Sequence, residues 1–314
     1  GYYSALNSGY ARIRDLNGDG LPDRIADYWK HFDSIYSATT PYTNFAVMLN
    51  TNGGFAAAAM WPLATNDLAN DPSTYMSVIE SGSTQPYIGL FDINGDGLPD
   101  RVMALYNQAE VNFKVQFNTG TNFSQVKLFG PYRSQNYTNT AFGIPWSGIN
   151  TPYATMMDIN GDGLPDRIMI PMNPASTPNP MVYGNANFNF FAVEFNDGYA
   201  FESTNSSPNL PGAFDRWNGV VLQSGATPYN YDTIQNPPVV GLYDLNGDGL
   251  PDRVMMDETA YATNGAQWLV YLNNGRSFDT TPIKVSVNNQ GVPSSREWNG
   301  TTWSDISGTD SLDF

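Results

Sequence analysis

The chain contains no cysteine and a single histidine in 314 residues. The first absence excludes a disulfide scaffold and thiol chemistry. The second leaves His31, next to Trp29 and Lys30, without a second imidazole or thiol to build a metal or nucleophile site, so it reads as a surface or loop residue. Lysine is scarce at four and glutamate at six, and the 14 lysines and arginines form no basic run, which argues against nucleic acid as a partner. No stretch of about 20 apolar residues exists, so no segment is expected to span a membrane as a helix. The chain starts at Gly1, with neither Met nor a signal-like apolar run, and reads as a mature or excised segment. GxSxG, HExxH, P-loop and dinucleotide glycine motifs are all missing, and no catalytic residue is assigned.

Aspartate, by contrast, is plentiful, and half of it lies in one phrase. DLNGDGLPDR runs over 15–24 and 244–253, and DINGDGLPDR over 92–101 and 158–167. The start-to-start intervals are 77, 66 and 86 residues, so the phrase marks a repeat architecture. Asp, Asn and Asp at positions one, three and five, a backbone carbonyl at seven and Asp at nine supply hard oxygens in the pattern that suits calcium, which takes roughly six to eight. The expected ligands are Asp15, Asn17, Asp19, Leu21 and Asp23 in the first loop and Asp92, Asn94, Asp96, Leu98 and Asp100 in the second. Asp158, Asn160, Asp162, Leu164 and Asp166 form the third set, and Asp244, Asn246, Asp248, Leu250 and Asp252 the fourth, with each leucine contributing its carbonyl. Magnesium fits this supply less well, and nothing offers the sulfur or imidazole that zinc or copper favours.

The two glycines of each loop permit left-handed backbone, and the following proline stiffens the exit. The loop begins like an EF-hand but lacks its glutamate at position twelve, where Ala26, Met103, Met169 and Met255 stand instead. The aspartate at position nine is expected to take over that role. A plain Asn-Gly turn would explain one copy, but it gives no reason to gather three carboxylates four times over. Four near-identical sites point to structural rather than regulatory calcium. Four such ions would halve the formal net charge of −16.

A second element recurs between the loops: FAVMLNTNGGF (45–55), FKVQFNTGTNF (113–123), FAVEFNDGYAF (191–201) and WLVYLNNGRSF (268–278). Each reads as a strand, an Asn/Gly turn and a new strand opening on an aromatic residue. The short segments YARIR, YIGLF, YATMM and VVGLY precede the loops as further strands. One repeat is therefore a four-stranded antiparallel meander, the unit of a β-propeller blade. The expected fold is all-β and β-propeller-like, a single repeat domain over 1–314 with repeats near 1–80, 81–145, 146–230 and 231–314. The spans 64–85, 131–151, 171–187 and 203–236, rich in Pro, Asn, Ser and Thr, read as surface insertions. Phe55, Phe123, Phe201 and Phe278 recur with the repeat and are expected in the core between blades. Arg24, Arg101, Arg167 and Arg253 are expected in structural ion pairs near the loops. Trp29, Trp61, Trp146, Trp217, Trp298 and Trp303 recur less cleanly and are expected mostly in packing, with sugar stacking as the other use of such rings.

The phrase DxNGDGxxD followed by a V-x-L/F-N-x-G-x-x-F strand pair resembles the FG-GAP/VCBS repeat family. The resemblance covers all four repeats and implies a calcium-bound β-propeller of the kind found in integrin alpha-chain heads, lectins and bacterial toxin-complex proteins. It implies a non-enzymatic, extracellular or cell-surface module for adhesion or binding, with a protein or glycan partner. A lectin, a propeller segment of a larger secreted toxin or surface protein, and a polysaccharide-acting enzyme are the other readings. Weak calcium sites suit the extracellular space, and the sequons at Asn122, Asn136, Asn205 and Asn299 are compatible with it. The segment from Trp298 resembles the one from Trp146 that leads into a loop. Ring closure by the four repeats, continuation in a longer chain and docking on another copy are the expected alternatives.

Overall fold

The computed structural model describes residues 11–27, 44–62, 88–103, 112–130, 149, 154–169, 190–202, 215–219, 240–257, 267–286, 296–298 and 303–305. Among them every regular element is a β-strand, and no helix is long and apolar enough to cross a membrane. The first sheet comprises β1 (Ala11–Arg14), β2 (Asp23–Asp27), β3 (Asn44–Met48) and β4 (Ala59–Pro62), antiparallel and in sequence order. The second repeats this order with β5 (Ile88–Phe91), β6 (Asp100–Met103), β7 (Phe113–Gln116) and β8 (Lys127–Phe129). The third holds β9 (Ala154–Met157), β10 (Asp166–Met169), β11 (Phe190–Asn196) and the short β12 (Phe201–Glu202), with β13 (Asp215–Asn218) also paired to β11. The fourth is β14 (Val240–Tyr243), β15 (Asp252–Met256), β16 (Gln267–Tyr271) and β17 (Ile283–Ser286), and a separate hairpin joins β18 (Arg296–Trp298) to β19 (Trp303–Asp305).

Each aspartate-rich loop therefore connects the first two strands of a sheet, and each Asn/Gly turn follows the third. Both connections come from residues that tolerate turn geometry. Gly18 and Gly20 lie at φ 76° and 82°, and Asn52 enters the left-handed region at φ 60°. Beyond the turn, Asn50 bridges Phe55, Asn118 bridges Phe123 and Asn273 bridges Phe278. The third repeat differs. The strand after its turn breaks into β12 and β13, and β13 falls within a span that the composition marks as an insertion. The remaining insertion residues lie almost wholly outside the described residues, as does His31.

The chain divides into two compact units, residues 1–158, 162–169 and 193–215 in one and 159–161, 170–192 and 216–314 in the other. In the first, apolar clusters form between successive repeats. Leu16, Ile25, Phe45, Val47 and Trp61 of the first repeat pack with Leu90 and Phe123 of the second. Ile88, Ile93, Val102, Phe113, Val115 and Phe129 of the second pack with Met156 and Phe201 of the third. Edge-on rings tie these layers together: Phe123 meets Phe45 at 6.2 Å and Trp61 at 5.1 Å, and Phe201 meets Phe113 and Phe129, each at 5.6 Å. In the second unit Phe278 meets Phe191 at 6.0 Å and Trp217 at 6.5 Å. The sequence expectation for the recurrent phenylalanine thus holds at Phe123, Phe201 and Phe278, which are buried, but not at Phe55, which is 51% exposed. Phe55 belongs to the first of the four repeats, and its ring lies at the surface.

The arginines that close the phrase are also inter-repeat groups. Arg101 lies over the Phe45 ring at 5.2 Å, Arg167 over Phe113 at 5.9 Å and Arg253 over Phe191 at 5.2 Å. All three are buried. Arg167 makes the expected ion pair, with Glu194 at 2.8 Å, and Arg101 donates to Gln116 Oε1 at 3.1 Å. Gln116 and Glu194 hold one register position of the third strand, where Met48 and Tyr271 stand in the other repeats, and this variation hides the partner from sequence reasoning.

The recurrent phenylalanine gives a direct comparison. Phe123→Ala is expected to cost about 3–5 kcal/mol by deleting a fully buried ring, whereas Phe55→Ala stays within about 0.5 kcal/mol. Chemical denaturation of the two variants checks this, and equal losses would contradict the layered packing.

Candidate metal centres

The first residue of each loop organises the turn. Asp15 accepts the Gly18 N–H on Oδ1 and the Gly20 N–H on Oδ2, both at 2.8 Å. Asp92 accepts from Asp96 and Gly97, Asp158 from Asp162 and Gly163, and Asp244 from Gly247, Asp248 and Gly249. Position three is engaged locally as well: Asn17, Asn94 and Asn246 accept the N–H of position five and donate to its carboxylate. Asp19, Asp96, Asp162 and Asp248 accept the N–H of Leu21, Leu98, Leu164 and Leu250, and all four lie exposed at the loop tip.

Position nine is different in kind. Asp23, Asp100, Asp166 and Asp252 are fully buried at the start of β2, β6, β10 and β15. Their Oδ1 accepts the N–H of Asn50 (2.7 Å), Asn118 (2.7 Å), Asn196 (3.0 Å) and Asn273 (2.9 Å), tying each loop to the turn after the third strand. Oδ2 of Asp23 and Asp252 also accepts the N–H of Leu16 and Leu245 at position two. These aspartates, expected as cation ligands, are therefore also clamps between loop and sheet. A carboxylate oxygen carries two acceptor sites, so the clamp leaves capacity for a cation.

Among the described residues no three acidic or imidazole side chains converge into a ready-made metal cage. The chemistry of the donor set nevertheless fits a hard cation. Every side-chain donor is oxygen, and three carboxylates share each short loop. In the second loop Asp100 Oδ2 is buried without a hydrogen bond of good geometry. Burial raises the Asp100 carboxyl to about 7, the Asn118 and Ile93 amides oppose this, and the charges of Asp96 and Asp92 add to the rise. Burial likewise raises Asp252, with Asp248 and Asp244 adding to it. A carboxylate pushed upward by its neighbours is one that a cation would relieve.

The turn after the third strand, which sequence reasoning treated only as a turn, completes the preceding loop. The side-chain amide of Asn118 donates to the Leu16 carbonyl, that of Asn196 to Ile93 and that of Asn273 to Ile159, each at 2.8 Å. The same amides reach Pro99, Pro165 and Pro251 of their own repeat at 3.2–3.3 Å. The signal was present as an invariant Asn two residues before a Gly or Asn. Leucine at position seven has a second role too. Its side chain lies over the glycine at position four of the preceding loop: a Cβ on Gly18 would stand 3.2 Å from Leu98, on Gly95 2.8 Å from Leu164 and on Gly161 2.7 Å from Leu250. Each loop is thus both a candidate cation site and half of a joint between repeats.

No family model matches the chain, and no curated protein matches it. Among solved structures it is similar to a chain of the Photorhabdus luminescens Tc holotoxin pore, with 15% identity and a TM-score of 0.35. The match covers 90% of this chain and spans 12% of that one.

Two outcomes follow from this geometry. Because folding raises Asp100 from 3.8 to about 7, the folded state holds a proton that the unfolded chain releases, and stability in chelator falls as pH rises between those values. Acidification from pH 8 to 5.5 in chelator is therefore expected to raise the denaturation midpoint, and Asp100→Asn to flatten that slope. An unchanged slope would contradict the assignment. Gly161→Ala and Gly247→Ala share a left-handed backbone, at φ 82° and 78°, but only Gly161 faces a leucine. Gly161→Ala is expected to cost about 1–3 kcal/mol more, the usual penalty for overpacking, and equal melting temperatures would refute the joint.

Proposed function

We propose that the chain is a non-enzymatic, calcium-stabilised, β-propeller-like binding or adhesion module that works outside the cell or at its surface. The observation that carries this is the fourfold loop. Each copy collects three carboxylates and an asparagine, and its buried aspartate accepts a hydrogen bond of 2.7–3.0 Å from the backbone N–H of the asparagine at the end of the third strand. A calcium ion held by Asp92, Asn94, Asp96, the Leu98 carbonyl and Asp100, and by their counterparts in the other loops, would neutralise that charge. It would also lock the first hairpin of each repeat to its third strand. The ion supplies charge and geometry rather than reaction chemistry, which suits a scaffold that presents a surface to a protein or glycan partner. The antiparallel four-strand order of successive repeats supports the propeller-like reading.

Calcium is expected to stabilise the fold because it binds the native loops and barely the unfolded chain. At 100 times Kd each independent site adds about 2.7 kcal/mol. Thermal unfolding with calcium, with magnesium and with a chelator tests this in one series. A rise specific to calcium, reduced in Asp19→Ala and Asp96→Ala, is the expected result. An identical melting temperature under all three conditions would refute calcium as the ligand.

A further inference from the structure

We infer that the chain carries the two halves of one further repeat-to-repeat joint on its first and fourth repeats, and that a second copy of the chain docks there head to tail. The joint is seen three times, with the same parts each time. The earlier repeat offers the aromatic at the third strand (Phe45, Phe113, Phe191), the carbonyl at loop position two and the bare glycine at position four. The later repeat offers the phenylalanine after its turn, the turn asparagine and the leucine at position seven. Every one of these groups is matched where two repeats meet.

The first repeat presents the later-repeat half uncovered. Phe55 is 51% exposed, whereas Phe123, Phe201 and Phe278 are at most 7% exposed. The Asn50 side-chain amide donates to Pro22 of its own repeat at 3.2 Å, in an exposed position, and among the described residues it has no bond to a second loop such as the other three make. The fourth repeat presents the opposite half. Leu245 is 37% exposed, although Leu16, Ile93 and Ile159 at the same loop position are fully buried. A Cβ on Gly247 would meet nothing within 4 Å, where its three counterparts each face a leucine. On the outer strand of that repeat Ile283 and Val285 are exposed, and Val285 pairs with Trp268 just as Trp61 pairs with Phe45.

The occupant follows from this complementarity. A surface of this composition fits a sheet with the same leucine, asparagine and phenylalanine spacing, and a second copy brings that sheet. Because the two surfaces differ, the contact is heterologous. It repeats from copy to copy until the rotation closes a ring, or it continues as a filament. This proposal does not depend on calcium as the loop ligand, and the test holds calcium constant.

Phe55→Glu spoils the head and Val285→Glu the tail, and both change residues that are already exposed, so the monomer fold is preserved. Light scattering across a concentration series, with circular dichroism to verify folding, reads the outcome. The wild type is expected to gain mass with concentration. Each variant alone should stay monomeric at tenfold the concentration at which the wild type assembles. An equimolar mixture should stop at a heterodimer, since it retains one sound head and one sound tail. A wild type that remains monomeric throughout, or variants that assemble as the wild type does, would overturn the proposal.

Discussion

The described structure depends on the buried aspartate at position nine of each loop. A carboxylate removed from water is costly unless it is hydrogen-bonded, and here its partners are backbone amides that no strand ladder uses. By accepting the N–H of the turn asparagine, Asp23, Asp100, Asp166 and Asp252 fix where the third strand ends relative to the first hairpin. That placement sets the asparagine side chain at the carbonyl of the preceding loop. One buried carboxyl group per repeat thus ties the third strand to the first hairpin, and in the second to fourth repeats the asparagine it holds also joins the sheet to the one before it.

The same group links stability to charge. Burial, with the charges of Asp96 and Asp92, raises Asp100 to about 7, and burial raises Asp252 as well. A protein that concentrates half its aspartates in this way must either bind protons or bind cations to relieve the repulsion. The fold and the proposed ligand are therefore one electrostatic question. Between repeats the arginines add a second layer, with Arg101 over Phe45 and Arg253 over Phe191.

Much of this was legible in the sequence because the local signals agree. Alternating strands, Gly-rich loops and Asn/Gly turns place β1 to β3 and their counterparts without ambiguity. What stayed hidden is relational. Phe55 and Phe123 occupy the same place in their repeats, and only position in the array decides that one is exposed and the other buried. Position nine reads as a cation ligand in one dimension, and its amide partners 18 to 30 residues away become visible only in three. β13 was masked by a composition typical of loops, since Asp215–Asn218 takes its strand geometry from β11 rather than from its own propensity.

The asparagine that completes each loop has a consequence for how the protein is made. Asn118, Asn196 and Asn273 lie 102, 103 and 114 residues beyond the carbonyls they satisfy. On the ribosome, synthesis at about 5–20 residues per second leaves each new loop incomplete for several seconds, until the repeat after it has emerged. Maturation then runs as a relay down the nascent chain, with each of the first three repeats finished by its successor.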